Sequence, residues 1–217
     1  MRRSNEHTST PEVISLGEGA ALLAIGHIAP LEELEAEANK EELKSIESFS
    51  AHSRRAERLA WRLMLRKVAN QSVEIIYDNQ GAPQLRYAIV KDGVSYRHIS
   101  VSHCRDMVAV LLSSQPCGVD IEQTGRDFSR VSSRYITDRE RTLSDNPRFE
   151  ATVWCAKEAL YKLVQREGLD FRSDILICAV DFAAATIVGR VGDSVVDMQI
   201  VWPDEGHVVV CTLPETR

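Results

Sequence analysis

Two acidic side chains stand at a spacing that suits metal-assisted chemistry. Asp120 and Glu122 are two residues apart in the stretch G-V-D-I-E at 118–122, so on a strand both carboxylates project from the same face. Like charges this close repel each other unless a cation lies between them, and carboxylate oxygens suit Mg²⁺. The spacing therefore predicts a metal-binding strand. A half-exposed edge strand with two ordinary acids would show the same pattern.

A second chemical stretch is W-C-A-K-E-A-L-Y-K at 154–162. On a helix, Trp154, Glu158 and Lys162 recur at i, i+4 and i+8 and share one face, with Lys157 beside them. A buried stripe would have apolar residues where the acid and the second lysine stand, so the pattern indicates a site. The alternative is a solvated salt-bridged face that contributes a few tenths of a kcal/mol.

A row of arginines precedes these stretches. Arg55, Arg58, Arg62 and Arg66 recur at helical spacing in the segment 54–69. Guanidinium groups suit phosphate because each offers a fork of donors and a charge that cannot be lost. The alternative is an exposed basic face whose aliphatic stems cover apolar surface.

The elements that must position these groups follow from hydrophobic periodicity. Helices are predicted over 32–49, 54–69 and 149–166, with Gly168 ending the last. The segment 126–144 is polar and predicts a mobile helix and loop, and residues 1–12 predict a polar arm. We expect 117–122 to pair with the strand before it, and the last four strands to form an antiparallel sheet. Strands are predicted over 20–28, 73–77, 99–103, 107–112, 117–122, 175–180, 186–191, 195–201 and 207–212.

Composition limits the class of protein. The 217 residues include 26 basic and 32 acidic side chains, a net charge of −6 that argues against general nucleic-acid binding. No apolar run reaches the roughly 18 residues of a membrane span, and no secretory signal is visible. The five cysteines are widely spaced without a C-x-x-C pair. This predicts free thiols in a cytoplasmic protein, with neither a disulfide framework nor a zinc site.

The ordered set of motifs resembles the 4′-phosphopantetheinyl transferase superfamily, most closely its surfactin-type (Sfp-like) subgroup. The set comprises the arginine helix, Gly81-x-Pro83, Ser102-His103, G-V-D-I-E and W-C-A-K-E-A-L-Y-K. The resemblance implies an α+β fold of two pseudo-twofold-related subdomains, each a small antiparallel sheet packed on a long helix. The subdomains would cover 1–115 and 116–217, and the protein would be a monomer.

The implied reaction is that of a holo-[acyl-carrier-protein] synthase. Phosphopantetheine moves from coenzyme A to a serine of an apo acyl, peptidyl or aryl carrier protein with Mg²⁺, and 3′,5′-ADP leaves. In the implied site, Asp120, Glu122 and Glu158 hold the metal, and Glu158 is the general base. Lys162 would stabilise charge at the pyrophosphate, with Lys157 near the phosphates.

The nucleotide end of coenzyme A has its own implied residues. His103, which alone would be an ordinary strand-end histidine, is expected to contact a phosphate. Arg54, Arg55 and Arg58 all fit the 3′-phosphate contact, with Arg55 and Arg58 favoured, and Thr124 is a hydroxyl candidate. Two departures from the family pattern are Cys104, where serine is common, and the shortened Glu167-Gly168-Leu169 loop.

Two other classes of protein remain open from the sequence. One is a non-catalytic adaptor that binds coenzyme A or a carrier, against which the intact acids and Lys162 argue. The other is a different Mg²⁺-dependent phosphotransferase, which would have no need of His103 and the arginine helix. For the carrier, Arg126, Arg130 and Arg134 are the predicted basic docking patch.

Overall fold

The computed structural model describes residues 10–215. Residues 1–9, most of the predicted polar arm, lie outside the described residues. The helices are α1 (Leu31–Glu37), α2 (Lys40–Lys44), α3 (His52–Ala69) and α4 (Phe149–Val164). None of the helices within residues 10–215 is long and apolar enough to cross a membrane.

The first half of the chain forms a four-stranded antiparallel sheet and two short hairpins. The sheet order is β1-β2-β8-β7, and β3–β4 and β5–β6 pair separately. The helix α3 packs its apolar stripe, which includes Trp61 and Leu65, against one face of the sheet. The strands are β1 (Glu12–Leu16), β2 (Ala21–His27), β3 (Ile75–Tyr77), β4 (Pro83–Leu85), β5 (Ile89–Lys91), β6 (Val94–Tyr96), β7 (His98–Cys104) and β8 (Met107–Ser113).

The second half forms a five-stranded antiparallel sheet with the order β10-β11-β12-β13-β9. The helix α4 covers one face through residues such as Ala156 and Leu160, which are completely buried. The strands are β9 (Val119–Gln123), β10 (Ile175–Asp181), β11 (Thr186–Val191), β12 (Ser194–Val201) and β13 (His207–Thr212).

A further hydrophobic core lies between the two sheets, on the faces that α3 and α4 do not cover. Leu23 and Leu111 of the first sheet cluster there with Val119, Ile121 and Val209 of the second. Because β8 is covered on both faces, all of its residues are buried and its sequence reads as an unbroken apolar run. The molecule is therefore a mixed α+β structure in which each half pairs one antiparallel sheet with one long helix. The pseudo-twofold relation and the boundary at 115/116 stay predictions.

The prediction of one continuous helix over 32–49 is wrong. The chain is extended at Ala38, and Asn39 begins a separate helix, α2. The Asn39 side chain accepts hydrogen bonds from the amides of Glu41 and Glu42, both at 2.9 Å, and Glu42 accepts from the Asn39 amide at 2.8 Å. This capping box stabilises a new helix start in the middle of an otherwise helix-favouring run.

The expected pairing of 117–122 with the preceding strand is also wrong. The edges of β8 are occupied by β2 and β7, so the chain crosses through Pro116 and β9 pairs with β13 in the other sheet. The segment 126–144 holds only two 3₁₀ turns, Ser132–Arg134 and Glu140–Thr142. The expected helix there is absent, and Glu140 is buried.

The end of α4 differs slightly from the expectation. The helix ends at Val164, and Gln165 takes the left-handed conformation with φ of 47°. The predicted terminator, Gly168, lies three residues later with φ of 77°. Polar residues tolerate the left-handed region at a helix end, so a glycine is not required there.

Gly118 brings β9 against α4, and we expect its replacement to be costly. A Cβ at Gly118 would lie 1.9 Å from the carbonyl oxygen of Ala159, so Gly118→Ala must displace the helix. We predict a loss of about 3 kcal/mol in the free energy of unfolding, the upper end for overpacking. Denaturant unfolding measures it. Gly125→Ala is the control because no atom lies within 4 Å of its Cβ position, and equal stabilities of the two variants would contradict the prediction.

Candidate functional site

The centre of the candidate site is Asp120, a buried carboxylate on β9. Its Oδ1 accepts a hydrogen bond from Ser102 Oγ at 2.6 Å and one from Lys162 Nζ at 2.8 Å. Lys162 also donates to the carbonyl of Val119 at 2.9 Å. Ser102 lies on β7 and Lys162 on α4, so residues from both halves of the chain converge on one oxygen.

The other oxygen of Asp120, Oδ2, is buried and has no hydrogen-bond partner in the described structure. An unpaired buried carboxylate oxygen is costly, and native structures satisfy such groups with a donor, a water or a cation. This orphaned oxygen is the observation that fits a bound cation at Asp120.

Glu158 and Glu122 stand in the electrostatic field of Asp120. Burial, and then the charge of Asp120, raise the pKa of Glu158 to about 7, with Lys162 opposing the shift. Burial and Asp120 also raise the pKa of Glu122. Two acids whose pKa values are raised beside a third carboxylate, in a partly buried space, favour either a proton or a cation among them.

The three acids are not gathered as tightly as metal ligands would be. Among residues 10–215, the group of three possible ligands whose atoms all lie within 4.8 Å of one another is a different one, Cys104, Asp106 and His207. Glu122 instead pairs with Arg126 at 2.8 Å. Its carboxylate would have to leave that arginine to join Asp120 at a metal. The orphaned oxygen fits Mg²⁺, and the assignment of Asp120, Glu122 and Glu158 as ligands stays a prediction.

His103 lies at the edge of this centre. Its Nε2 is 3.5 Å from Glu57 Oε2 on α3. Burial lowers the pKa of His103, opposed by Glu57 and assisted by Arg54 and Lys162. The histidine therefore connects the start of α3 with the Asp120 centre, as its predicted role next to a phosphate would require.

The arginines of α3 do not form one open row. Arg55 pairs with Glu35 of α1 at 2.6 Å, and the Arg58 guanidinium lies 4.4 Å from the ring centroid of Tyr77. Arg54 instead lies 3.6 Å from Glu57, the acid that also faces His103. Of the three arginines open from the sequence, Arg54 is the one placed with His103. The partners of Arg55 and Arg58 come from α1 and β3, and the spacing of the arginines along their own helix cannot reveal them.

Lys157 is placed apart from the phosphate-binding candidates, which corrects the expectation for it. Its side chain is completely buried, and Nζ is 2.7 Å from Glu140 Oε1. Nζ also donates to the carbonyls of Phe171, at 2.8 Å, and Tyr135. One helical position turns the side chain about 100° away from Glu158, so it holds the 126–144 segment beneath α4 and has no donor for a ligand.

Two further predicted residues differ in outcome. Trp154, which helical spacing placed on the same face as Glu158 and Lys162, packs its ring between Tyr135, at 5.1 Å between centroids, and Phe171, at 5.7 Å. Thr124 donates its hydroxyl to the carbonyl of Glu205 at 3.2 Å and is engaged in the turn before β13. That bond places Thr124 with the second sheet and brings it to none of the other predicted residues.

A cleft of about 290 Å³ opens beside Lys162 between the two halves. Its walls come from the Gly81–Pro83 loop, from β7 and from the end of α4, and a concave site between subdomains is a common place for a ligand. The lining includes Gln80, Pro83, Ser100, Val101, Cys117, Tyr161, Lys162 and Gln165.

Part of the second half of the chain is similar to a known family. Residues 116–194 match the family model of the 4′-phosphopantetheinyl transferase superfamily. The matched range contains Asp120, Glu122, Glu158 and Lys162 and excludes α3 and His103. It supports the superfamily and, with it, a phosphopantetheinyl transferase type of activity. A search of curated proteins found no match to the chain.

Proposed function

We propose that this protein is a 4′-phosphopantetheinyl transferase that modifies an apo carrier protein, using coenzyme A and Mg²⁺. The observation that carries the proposal is the Asp120 centre. One carboxylate oxygen is held by Ser102 and Lys162, and the other is buried without a partner. Asp120 and Lys162 lie inside the range that matches the superfamily model, and Lys162 also lines the cleft between the two halves.

The proposed reaction balances as a single displacement. The serine oxygen of the carrier forms a bond to the phosphorus that bears pantetheine, and the bond to the 3′,5′-ADP oxygen breaks. Glu158 accepts the serine proton, directly or through water, and burial, which raises its pKa to about 7 in the metal-free chain, favours its role as a base. The Lys162 ammonium, held against β9 by Asp120 and Val119, presents a fixed positive charge to the pyrophosphate.

A bound Mg²⁺ would be held by Asp120 with Glu122 and Glu158, and it would offset the negative charge that develops on the pyrophosphate. The chain prepares for this by burying Asp120 and leaving its Oδ2 without a donor. At the nucleotide end, His103 and Arg54 meet around Glu57. We propose that a phosphate of coenzyme A takes the place of the Glu57 carboxylate as their anionic partner.

Intact-mass spectrometry of apo carrier proteins tests the proposal. We expect a gain of one phosphopantetheine when carrier, coenzyme A, Mg²⁺ and this protein are combined, and no gain with EDTA. Coenzyme A binding without any carrier modification would favour the adaptor. Metal-dependent cleavage of coenzyme A that leaves the carrier unmodified would favour the other phosphotransferase. The Sfp-like subgroup, the kind of carrier, the monomeric state and the cytoplasmic location stay predictions.

The carrier-docking patch yields a separate prediction. Arg130 is 87% exposed in its side chain, with only Asp127 near it at 3.4 Å, and Arg134 is also exposed. Reversing both charges, Arg130→Glu with Arg134→Glu, is expected to raise the KM for an acidic carrier roughly 3-fold or more without changing the KM for coenzyme A, because surface charges mainly steer encounter. Steady-state kinetics at low salt measure it.

Arg190→Glu is the matched control for Arg130→Glu alone, because each of these single variants changes the net charge by the same amount. Arg190 is an exposed arginine on β11 of the second sheet, and its guanidinium bonds only to the nearby carbonyl of Gly192 at 2.7 Å. An equal rise in the carrier KM for the control would show that net charge, and not the patch, is responsible.

A further inference from the structure

A second cluster of possible metal ligands lies at the open end of the core between the two sheets. Cys104, Asp106 and His207 each offer one ligand atom, and the three atoms lie within 4.8 Å of one another. Cys104 ends β7, Asp106 is in the turn to β8, and His207 begins β13. The cluster therefore joins the two sheets, and no residue of the Asp120 centre belongs to it.

The imidazole of His207 faces a carboxylate at each ring nitrogen. Nδ1 is 2.9 and 3.0 Å from the two oxygens of Asp204, and Nε2 is 3.1 Å from Asp106 Oδ1. A neutral imidazole has a single N–H. If it donates to Asp204, a lone pair on Nε2 points at the Asp106 carboxylate. That contact needs a cation, either a second proton on the ring or a metal ion.

The surroundings resemble the outer shell of a metal site. A ligating histidine commonly donates its other N–H to a carboxylate, which fixes the tautomer, and Asp204 holds that place for His207. Asp106 in turn accepts from the Gln123 side chain at 3.2 Å. The His207 side chain is only 8% exposed, whereas that of Asp106 is 49% exposed, so an ion could enter from the Asp106 side.

We propose that Cys104, Asp106 and His207 bind Zn²⁺ and link the β7–β8 turn to β13. One sulfur, one imidazole nitrogen and one carboxylate oxygen form a donor set that suits Zn²⁺ better than Mg²⁺, with water in the fourth position. To bind one ion, the three ligand atoms would have to move closer together by only a fraction of their present separation. Burial, followed by the charge of Asp106, raises the pKa of Cys104 to about 12 in the metal-free chain. Binding must therefore release the thiol proton.

This proposal changes one interpretation made from the sequence. Cysteine spacing alone argued against a zinc site, because no two cysteines are close in the chain. The structure brings one cysteine to a histidine 103 positions later, and Cys104 also occupies the position where the resembling family often has serine. The proposal does not depend on the transferase activity.

Co²⁺ absorption of the full-length protein tests the site. After treatment with a chelator, added Co²⁺ is expected to give a thiolate-to-cobalt charge-transfer band that saturates at one Co²⁺ per chain. One equivalent of Zn²⁺ should remove the band, and an excess of Mg²⁺ should leave it unchanged. Cys104→Ser is expected to abolish the band, and Asp204→Asn to weaken Co²⁺ binding 10–100-fold, about the effect of losing an outer-shell partner. Cys178→Ser, which replaces the exposed cysteine, is the control and should keep the band.

Several outcomes would overturn the proposal. No band in the original protein would mean that the three side chains do not bind a metal ion through the Cys104 thiolate. A band that survives in Cys104→Ser or disappears in Cys178→Ser would place the ion elsewhere. Circular dichroism verifies that each variant is folded. If Cys104→Ser does not fold, Asp106→Asn, a change at a half-exposed side chain, must weaken Co²⁺ binding at least 10-fold for the proposal to stand.

Discussion

Glu158→Gln is expected to lower kcat for phosphopantetheine transfer by about 10³-fold. The amide keeps the size of the side chain but can neither accept the serine proton nor offer a charged ligand to a metal, and general-base catalysis alone contributes about 10²–10⁴-fold. The effect should persist at saturating coenzyme A and carrier, because the loss of a general base slows the chemical step itself. Timed intact-mass measurements of carrier modification give kcat directly.

The control for this variant is Glu167→Gln, which replaces an exposed acid just beyond α4 and should leave kcat unchanged. A stability measurement shows whether Glu158→Gln loses catalysis or loses its fold. The raised pKa of Glu158 fixes the direction of the expected change in stability. Since the folded-state pKa of Glu158 is raised to about 7 from 4.5, its ionisation costs the metal-free protein stability as pH rises through that interval. At pH 8, Glu158→Gln should therefore be at least as stable as the original protein in EDTA. A kcat within 10-fold of the original would contradict the role assigned to Glu158.

Lys157→Met is expected to reduce the free energy of unfolding by about 3–5 kcal/mol, the usual cost of leaving one member of a buried ion pair alone. The Glu140 carboxylate would lose its cation while remaining buried beneath α4, where it also accepts from the amides of Ile177 and Thr137, both at 2.7 Å. Denaturant unfolding measures the loss.

A double variant makes this prediction specific. Lys157→Met with Glu140→Gln should recover part of the lost stability, because the neutral amide no longer needs a cation. The Lys157→Met protein that does fold should have the same KM for coenzyme A as the original protein. A raised KM together with normal stability would restore the phosphate-binding role that the sequence suggested.

The elements that the sequence predicted well are those with strong periodicity and clear turn residues. The helices over 54–69 and 149–166 became α3 (His52–Ala69) and α4 (Phe149–Val164), and the strand over 107–112 became β8 (Met107–Ser113). Strand pairing was harder. An alternating strand such as β9 reveals which of its faces is apolar, but not which of the two sheets contains it, because the same alternation fits either one.

The same distinction between periodic elements and long-range contacts applies to the predicted site residues. Asp120 and Lys162 meet because strand and helix periodicity place both on faces directed at the boundary between the halves. The positions of Lys157, Arg55 and Arg58 depend on Glu140, Glu35 and Tyr77, which lie in a 3₁₀ turn, a short helix and a short strand that are too short to show a periodic pattern. The Cys104–Asp106–His207 cluster escaped prediction because its members are joined only by the contact between the two sheets.

The most direct test of the proposed function is to quantify holo-carrier and 3′,5′-ADP in the same reaction. We expect equal amounts of the two products, formed only with Mg²⁺ and absent when the acceptor serine of the carrier is replaced by alanine. Release of 3′,5′-ADP without holo-carrier, or the formation of neither product while coenzyme A still binds, would contradict it.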